Sequence, residues 1–145
     1  MATIYDLVRG REVYFVDAAH TVLAAARWMV ERNIGAVPVV EGGKLVGIFS
    51  ERDIMKRVVT EGRDPASTLV RDVMTPNPLV VAPAEKLENC MILMKQHGFR
   101  HLPIWDGKTL LGLVSLRDLL LRDLTEKDDE VRHMRAYIHA SYGES

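Results

Sequence analysis

Two stretches of the 145-residue chain carry the same potentially chemical pattern. Gly47-Ile48-Phe49-Ser50-Glu51-Arg52-Asp53 recurs as Gly112-Leu113-Val114-Ser115-Leu116-Arg117-Asp118. In each, a serine precedes an aspartate by three residues, where an apolar strand pattern gives way to a helical one. Taken singly, Ser-x-x-Asp is a capping box: the hydroxyl accepts from the N3 amide and the carboxylate reaches back to the N-cap amide. Three features ask for more than a cap. The pair occurs twice at one offset. A glycine sits three residues before each serine, within the strand, where it permits close approach of a ligand or of another backbone. An arginine immediately precedes each aspartate, at the positive end of the helix dipole, which disfavours a cation unless it meets an anion. Amides at a helix start attract phosphate, and a carboxylate beside them suits two adjacent hydroxyls. Ser, Arg and Asp at one helix start therefore describe a site for a phosphorylated ribose. Each charge-assisted hydrogen bond there contributes roughly 1.5–3 kcal/mol.

The elements that must position these residues follow from an internal repeat. An offset of 65 residues lays the chain on itself without a gap, so that Pro38 meets Pro103, Gly42 meets Gly107, Leu45 meets Leu110, and the motif meets its copy. Each copy, about 11–61 and 76–125, reads β-α-β-β-α. The first strands are 13–16 and 79–81. Helix 21–33 places Val22, Leu23, Ala26, Met29 and Val30 at the helical period, and helix 85–97 repeats it with Leu87, Met91, Leu93 and Met94. Strands 36–40 and 101–105 follow, then turns in which glycine supplies a positive φ. Strands 45–49 and 110–114 are apolar throughout, so burial on both faces is expected. The short turns make each strand pair an antiparallel hairpin, and a second helix opens at Ser50 and at Ser115.

One such unit cannot bury its own apolar face. The fold class is therefore α+β: two pseudo-two-fold-related repeats packed sheet to sheet, with an extra C-terminal helix at about 126–139. The expected organisation is repeat 1 with an N-terminal lead (1–62), a linker (63–75), repeat 2 (76–125), and a C-terminal helix and tail (126–145). Val131, Met134 and Ile138 give that last helix one apolar stripe, enough to lie on the body or on a partner subunit.

Composition narrows the function. Apolar residues make up 48% and charged residues 27%, ordinary globular usage. A net charge of −1 argues against a dedicated nucleic-acid binder. No apolar run approaches the roughly 20 residues that span a bilayer, and the first residues lack the pattern of a secretory leader. A single cysteine, Cys90, permits no internal disulfide and suits a reducing compartment, so a cytoplasmic location is expected.

In combination, the strands Val37-Pro38-Val39 and Leu102-Pro103-Ile104, the glycine turns and the Gly-h-h-Ser-x-x-Asp junctions resemble a tandem pair of CBS domains (cystathionine-β-synthase domains), the arrangement called a Bateman module. The resemblance covers nearly the whole chain apart from the C-terminal tail. The Ser-Glu-Arg-Asp-Ile form at 50–54 is similar to stand-alone pairs. The resemblance implies a non-enzymatic sensor that takes AMP, ADP, ATP, S-adenosylmethionine, NAD or NADH, forms a homodimer and regulates a partner protein. It implies that Asp53 and Asp118 hold ribose hydroxyls beside Ser50 and Ser115, and that Arg52, Arg117, Arg100 and His101 meet phosphate. Base-pocket walls would come from Val13, Tyr14, Ile34, Gly35, Ala36, Pro38, Leu79, Phe99 and Pro103. It further implies that Asp53 shares a cleft with Leu79 and 99–101, and Asp118 with Tyr14 and 34–36. The two clefts differ: Leu116 stands against Glu51, and Arg100 and His101 have Gly35 and Ala36 as counterparts.

Other chemistry is thin. Cys90 with His97 two turns on makes a possible nucleophile pair, but a buried inert thiol is the better reading. His97 and His101 straddle a helix end, which breaks metal-ligand spacing. Trp28, Met29, Met55, Met91 and Met94 read as core or interface filler. No metal set and no catalytic residues emerge. The rival to the sensor is a dimeric interaction module with no nucleotide, its serine–aspartate pairs serving only as caps.

Overall fold

The computed structural model describes residues 2–141. Helix α1 (Ile4–Val8) opens the chain. Strand β1 (Val16–Asp17) pairs parallel with β2 (Ala36–Glu41), which pairs antiparallel with β3 (Lys44–Ser50). Between β1 and β2 runs α2 (Val22–Arg32); Thr21 Oγ1 accepts from the Ala24 amide at 3.1 Å, and Asn33 ends the helix in the left-handed region. β3 feeds α3 (Glu51–Asp53), which continues as a π-helical turn, Ile54–Val59. Then come α4 (Val70–Val73) and β4 (Thr75–Pro76), and β4 pairs antiparallel with β3. The second half contributes α5 (Leu87–His97), β5 (His101–Trp105), β6 (Leu110–Ser115) and α6 (Leu116–Ser141). The sheets are β1-β2-β3-β4 and β5-β6.

Several expectations need correcting. Of the strand expected at 13–16, only Val16 pairs; Asp17 then turns its carboxylate back to the Ala19 amide at 2.8 Å, which ends the strand. Its counterpart at 79–81 is a single parallel bridge from Val81 to Ile104, because Pro78 and Pro83 flank it without amide donors. β3 and β6 are not buried on both faces: Gly47, Phe49, Gly112 and Val114 are buried, and the alternating residues are half-buried. The stretch expected as a linker carries α4 and β4 and completes the first sheet. The C-terminal helix continues the second helix of repeat 2 as one 26-residue rod. Its Val131 and Met134 are exposed, so they do not lie on the body, while the side chain of Ile138 is outside the described residues.

Two cores result. One gathers Val22, Ala25, Met29, Val37, Val39 and Phe49 with Val58, Val70 and Val73; the other gathers Cys90, Met94, Leu102, Ile104, Val114 and Leu119 with Ile4 and Val8. The lead helix α1 thus packs in the second core, not with the repeat it precedes. Burying Ile4 and Val8 there stabilises the fold by about 1.5–3 kcal/mol each. The strand glycines make room for these segments. A Cβ on Gly47 would lie 2.8 Å from the Thr75 carbonyl oxygen, and one on Gly112 would lie 3.2 Å from Val8. Of the two roles open to these glycines, the close neighbour is protein and not ligand.

Candidate functional site

Asp53 is the one buried charged residue among those described. It sits where β3 ends, held by the capping box that the sequence pattern allows. Its Oδ2 accepts from the Ser50 amide at 3.0 Å and from Ser50 Oγ at 3.2 Å, while Ser50 Oγ accepts from the Asp53 amide at 3.2 Å. Its Oδ1 is less engaged, with a donor from Thr75 Oγ1 at 3.3 Å and Arg57 Nε at 3.9 Å. A carboxylate offers about four acceptor positions, so Oδ1 keeps capacity for further donors.

That carboxylate stands on the wall of a cavity of about 720 Å³, within the range of small-molecule sites, about 300–1,000 Å³. Repeat 1 supplies Gly35, Ile48, Ser50, Arg52 and Asp53; repeat 2 supplies Leu79, Phe99, Arg100 and His101. Both repeats thus line the cavity at Asp53, and Gly35, expected in the cleft of Asp118, stands in this one. The sheet register explains part of this. His101 starts β5 opposite Ser115, just as Ala36 starts β2 opposite Ser50, and both hairpins leave the residues before their first strand at the edge of the cleft.

Burial lowers the pKa of His101 most; Arg100 lowers it further, and the Asp118 and Glu51 carboxylates pull it back up. His101 thus senses both repeats' acids. Phe99 stacks on His97 with ring centroids 5.3 Å apart, so that histidine supports the wall.

The second cleft is built differently. Asp118 accepts from the Ser115 amide at 2.9 Å, and Ser115 Oγ accepts from the Asp118 amide at 3.0 Å. Its other oxygen faces Arg11 Nη1 at 3.5 Å. Asp118, Ser115, Arg117, Val13, Tyr14, Ile34 and Ala36 all lie outside the described cavity. Tyr14 meets Trp28 edge to face, with Arg32 over the Trp28 ring at 4.0 Å. Ile34 packs on the first core. Pro38 and Pro103 are buried mid-strand rather than lining the cavity.

Sequence reasoning missed Met55, Lys56, Thr75, Pro76 and Asn77 as residues of the cavity lining. Met55 is 63% exposed, so it fills no core in this chain. Lys56 follows Arg52 by four residues, a spacing that puts both on one helix side and could have revealed it. Cys90 is fully buried, and burial, followed by Glu85, pushes its thiol up to about 11. No group of three or more His, Cys, Asp or Glu among the described residues is arranged to hold a metal, and no described helix is long and apolar enough to cross a membrane.

A family model for the CBS domain matches residues 4–60 and 70–124. Among curated proteins, the mitochondrial CBS domain-containing protein CBSX3 of Arabidopsis thaliana is 36% identical over 127 residues, covering 84% of this chain and 62% of that protein. The chain thus spans less than two thirds of that relative. Among solved structures, a putative signal-transduction protein with CBS domains from Burkholderia ambifaria aligns with a TM-score of 0.80 at 36% identity, covering 86% of this chain and 95% of that one. CBSX2 in complex with AMP aligns with a TM-score of 0.72 at 26% identity, covering 88% of this chain and 99% of that one.

Proposed function

The chain belongs to the CBS-domain family as a tandem pair of repeats, and from that premise we propose that it is a non-enzymatic regulatory module that binds an adenine nucleotide beside Asp53. The observation that carries this reading is a buried carboxylate with spare acceptor capacity on the wall of a cavity shared by the two repeats. Ribose hydroxyls donate to Asp53 Oδ1. The phosphate meets Arg52 and Arg100, with His101 close by, and the base lies against Leu79 and Phe99. The AMP carried by CBSX2 supports an adenine ligand.

Occupancy acts on geometry through Thr75. A hydroxyl that donates to Asp53 Oδ1 shares that oxygen with the hydrogen bond from Thr75 of β4, the strand that leads from one repeat into the other. A partner protein reads the altered arrangement, which requires different ligand affinities in the two arrangements. The module works as a homodimer in a reducing compartment such as the cytoplasm.

Calorimetry on nucleotide-stripped protein with AMP, ADP, ATP and NADH tests this. Saturable binding of at least one is expected; failure of all four removes the reading. A second reading, an interaction module without nucleotide, is favoured by the completed capping boxes at Ser50 and Ser115. On that reading Asp118→Asn lowers thermal stability and no nucleotide raises it.

A further inference from the structure

We propose that Lys56 makes the Asp53 cavity selective for ligands carrying a pyrophosphate over nucleoside monophosphates; this rests on the nucleotide reading above. Arg52 and Lys56 lie four residues apart on the helix leaving β3, and Arg100 comes from the other repeat. None of the three makes a side-chain hydrogen bond or ion pair among the described residues. By contrast Arg57, beside Lys56, is spent on the protein: it donates to the Met74 carbonyl at 2.6 Å and to that of Val73 at 3.3 Å.

The acids of the cavity do not use up these cations. Asp53 accepts from Ser50 and Thr75, and the Glu51 carboxylate lies over Gly35, where a Cβ would come 2.9 Å from its Oε1. A nucleoside monophosphate brings about −1.5 to −2 of charge, which the Arg52 and Arg100 guanidinium groups balance. A third cation in the same cavity, beside Arg52 on its helix, fits a second phosphate.

The internal repeat supplies a control within the molecule. At the 65-residue offset Arg52 corresponds to Arg117, but Lys56 corresponds to Leu121, Arg100 to Gly35 and His101 to Ala36. Of these four basic positions the second cleft keeps one, and its acid already faces Arg11. Lys56 is therefore no requirement of the helix, since a leucine serves at the equivalent place.

The test is calorimetry on stripped, full-length protein with AMP, ADP, ATP and NADH, for the native chain, Lys56→Leu and Lys56→Arg. ADP and ATP are expected to bind the native chain roughly tenfold or more tighter than AMP, since one added charge-assisted contact is of that order. Lys56→Leu should erase the preference while AMP affinity stays within about twofold, and Lys56→Arg should restore it. NADH sharing the Lys56-dependent gain identifies a dinucleotide's pyrophosphate; a gain confined to ADP and ATP identifies terminal phosphates. AMP binding as tightly as ADP and ATP, or an equal loss for all ligands in Lys56→Leu, overturns this proposal alone. Absence of all binding to the native chain overturns the nucleotide reading itself.

Discussion

Replacing Asp53 with asparagine separates two roles, closing the helix start and receiving a ligand. The asparagine carbonyl oxygen can still accept from the Ser50 amide, now at 3.0 Å from Oδ2, while Thr75 Oγ1 can rotate to accept from the new amide. What is lost is the negative charge of the cap and the approach of Arg57 at 3.9 Å. Losing the negative charge at the helix start costs about 0.3–1 kcal/mol. With an unfolding entropy of about 2.1 cal/mol/K per residue, that lowers the melting temperature of a chain this long by about 1–3 °C. The ligand loses more. A charge-assisted hydrogen bond is worth about 1.5–3 kcal/mol, so AMP affinity should fall roughly tenfold to a hundredfold. Thermal melts and calorimetry on the same preparation read both quantities, with Asp118→Asn as the matched control for capping. Asp53→Asn that melts lower by the expected amount yet binds AMP within about twofold of the native chain would show that the carboxylate only caps.

Other substitutions test the frame around the site. Ile4→Ala empties a fully buried position in the second core and should cost about 2–5 kcal/mol in urea unfolding; a change within error would mean that α1 does not dock. Gly47→Ala brings a methyl within 2.8 Å of the Thr75 carbonyl oxygen, so overpacking should cost about 1–3 kcal/mol and displace β4, whereas Gly35→Ala meets only the movable end of Glu51 and should cost less in the same melts. Cys90, pushed up to about 11 by burial, should resist a thiol reagent at pH 8 until the protein unfolds; rapid labelling of the native chain would contradict its placement. His101 has a folded pKa below its ordinary 6.5, so the unfolded chain binds its proton first. Stability should therefore fall as pH drops through 6.5 toward the folded pKa. His101→Gln should remove that part of the slope, and an identical slope in the variant would refute it.

The hairpins, the first helix of each repeat and both capping boxes were legible because local rules act there. Thr21 and Asn33 bound α2 as their types suggest, and β5 spans the residues that the match to the β-branched run at 36–40 marks. The cavity was half legible. Ser50, Arg52 and Asp53 stand in the repeated motif, and Leu79, Phe99, Arg100 and His101 followed from the family resemblance, but Lys56, Thr75, Pro76 and Asn77 were not named. Lys56 lacks a counterpart in the second copy, so matching the copies hid it. Residues 13–15 look like a strand by composition, yet a strand needs a neighbour with free ladder groups, and β2 pairs there only at Val39 and Val40.

The lead and the linker were the least legible, and their placement has the widest consequence. The 65-residue offset also carries Ile4–Val8 onto residues 69–73, and the two short helices share little beyond spaced apolar residues. Each packs on the repeat other than the one it leads into: α1 in the core of the second, α4 in the core of the first. Neither repeat therefore closes its core with a contiguous piece of chain. Backbone bonds reinforce the crossing, with the Ile4 amide donating to the Glu85 carbonyl at 2.7 Å and the Val70 amide to that of His20 at 2.9 Å. A repeat cut out at the sequence boundary loses Ile4 and Val8, or Val70 and Val73, and with them several kcal/mol of burial, about the margin by which a small domain is stable. The pair should thus unfold as one cooperative unit. The same crossing places Thr75 against Asp53, so the strand that joins the repeats meets the same carboxylate oxygen that the proposed ligand would use.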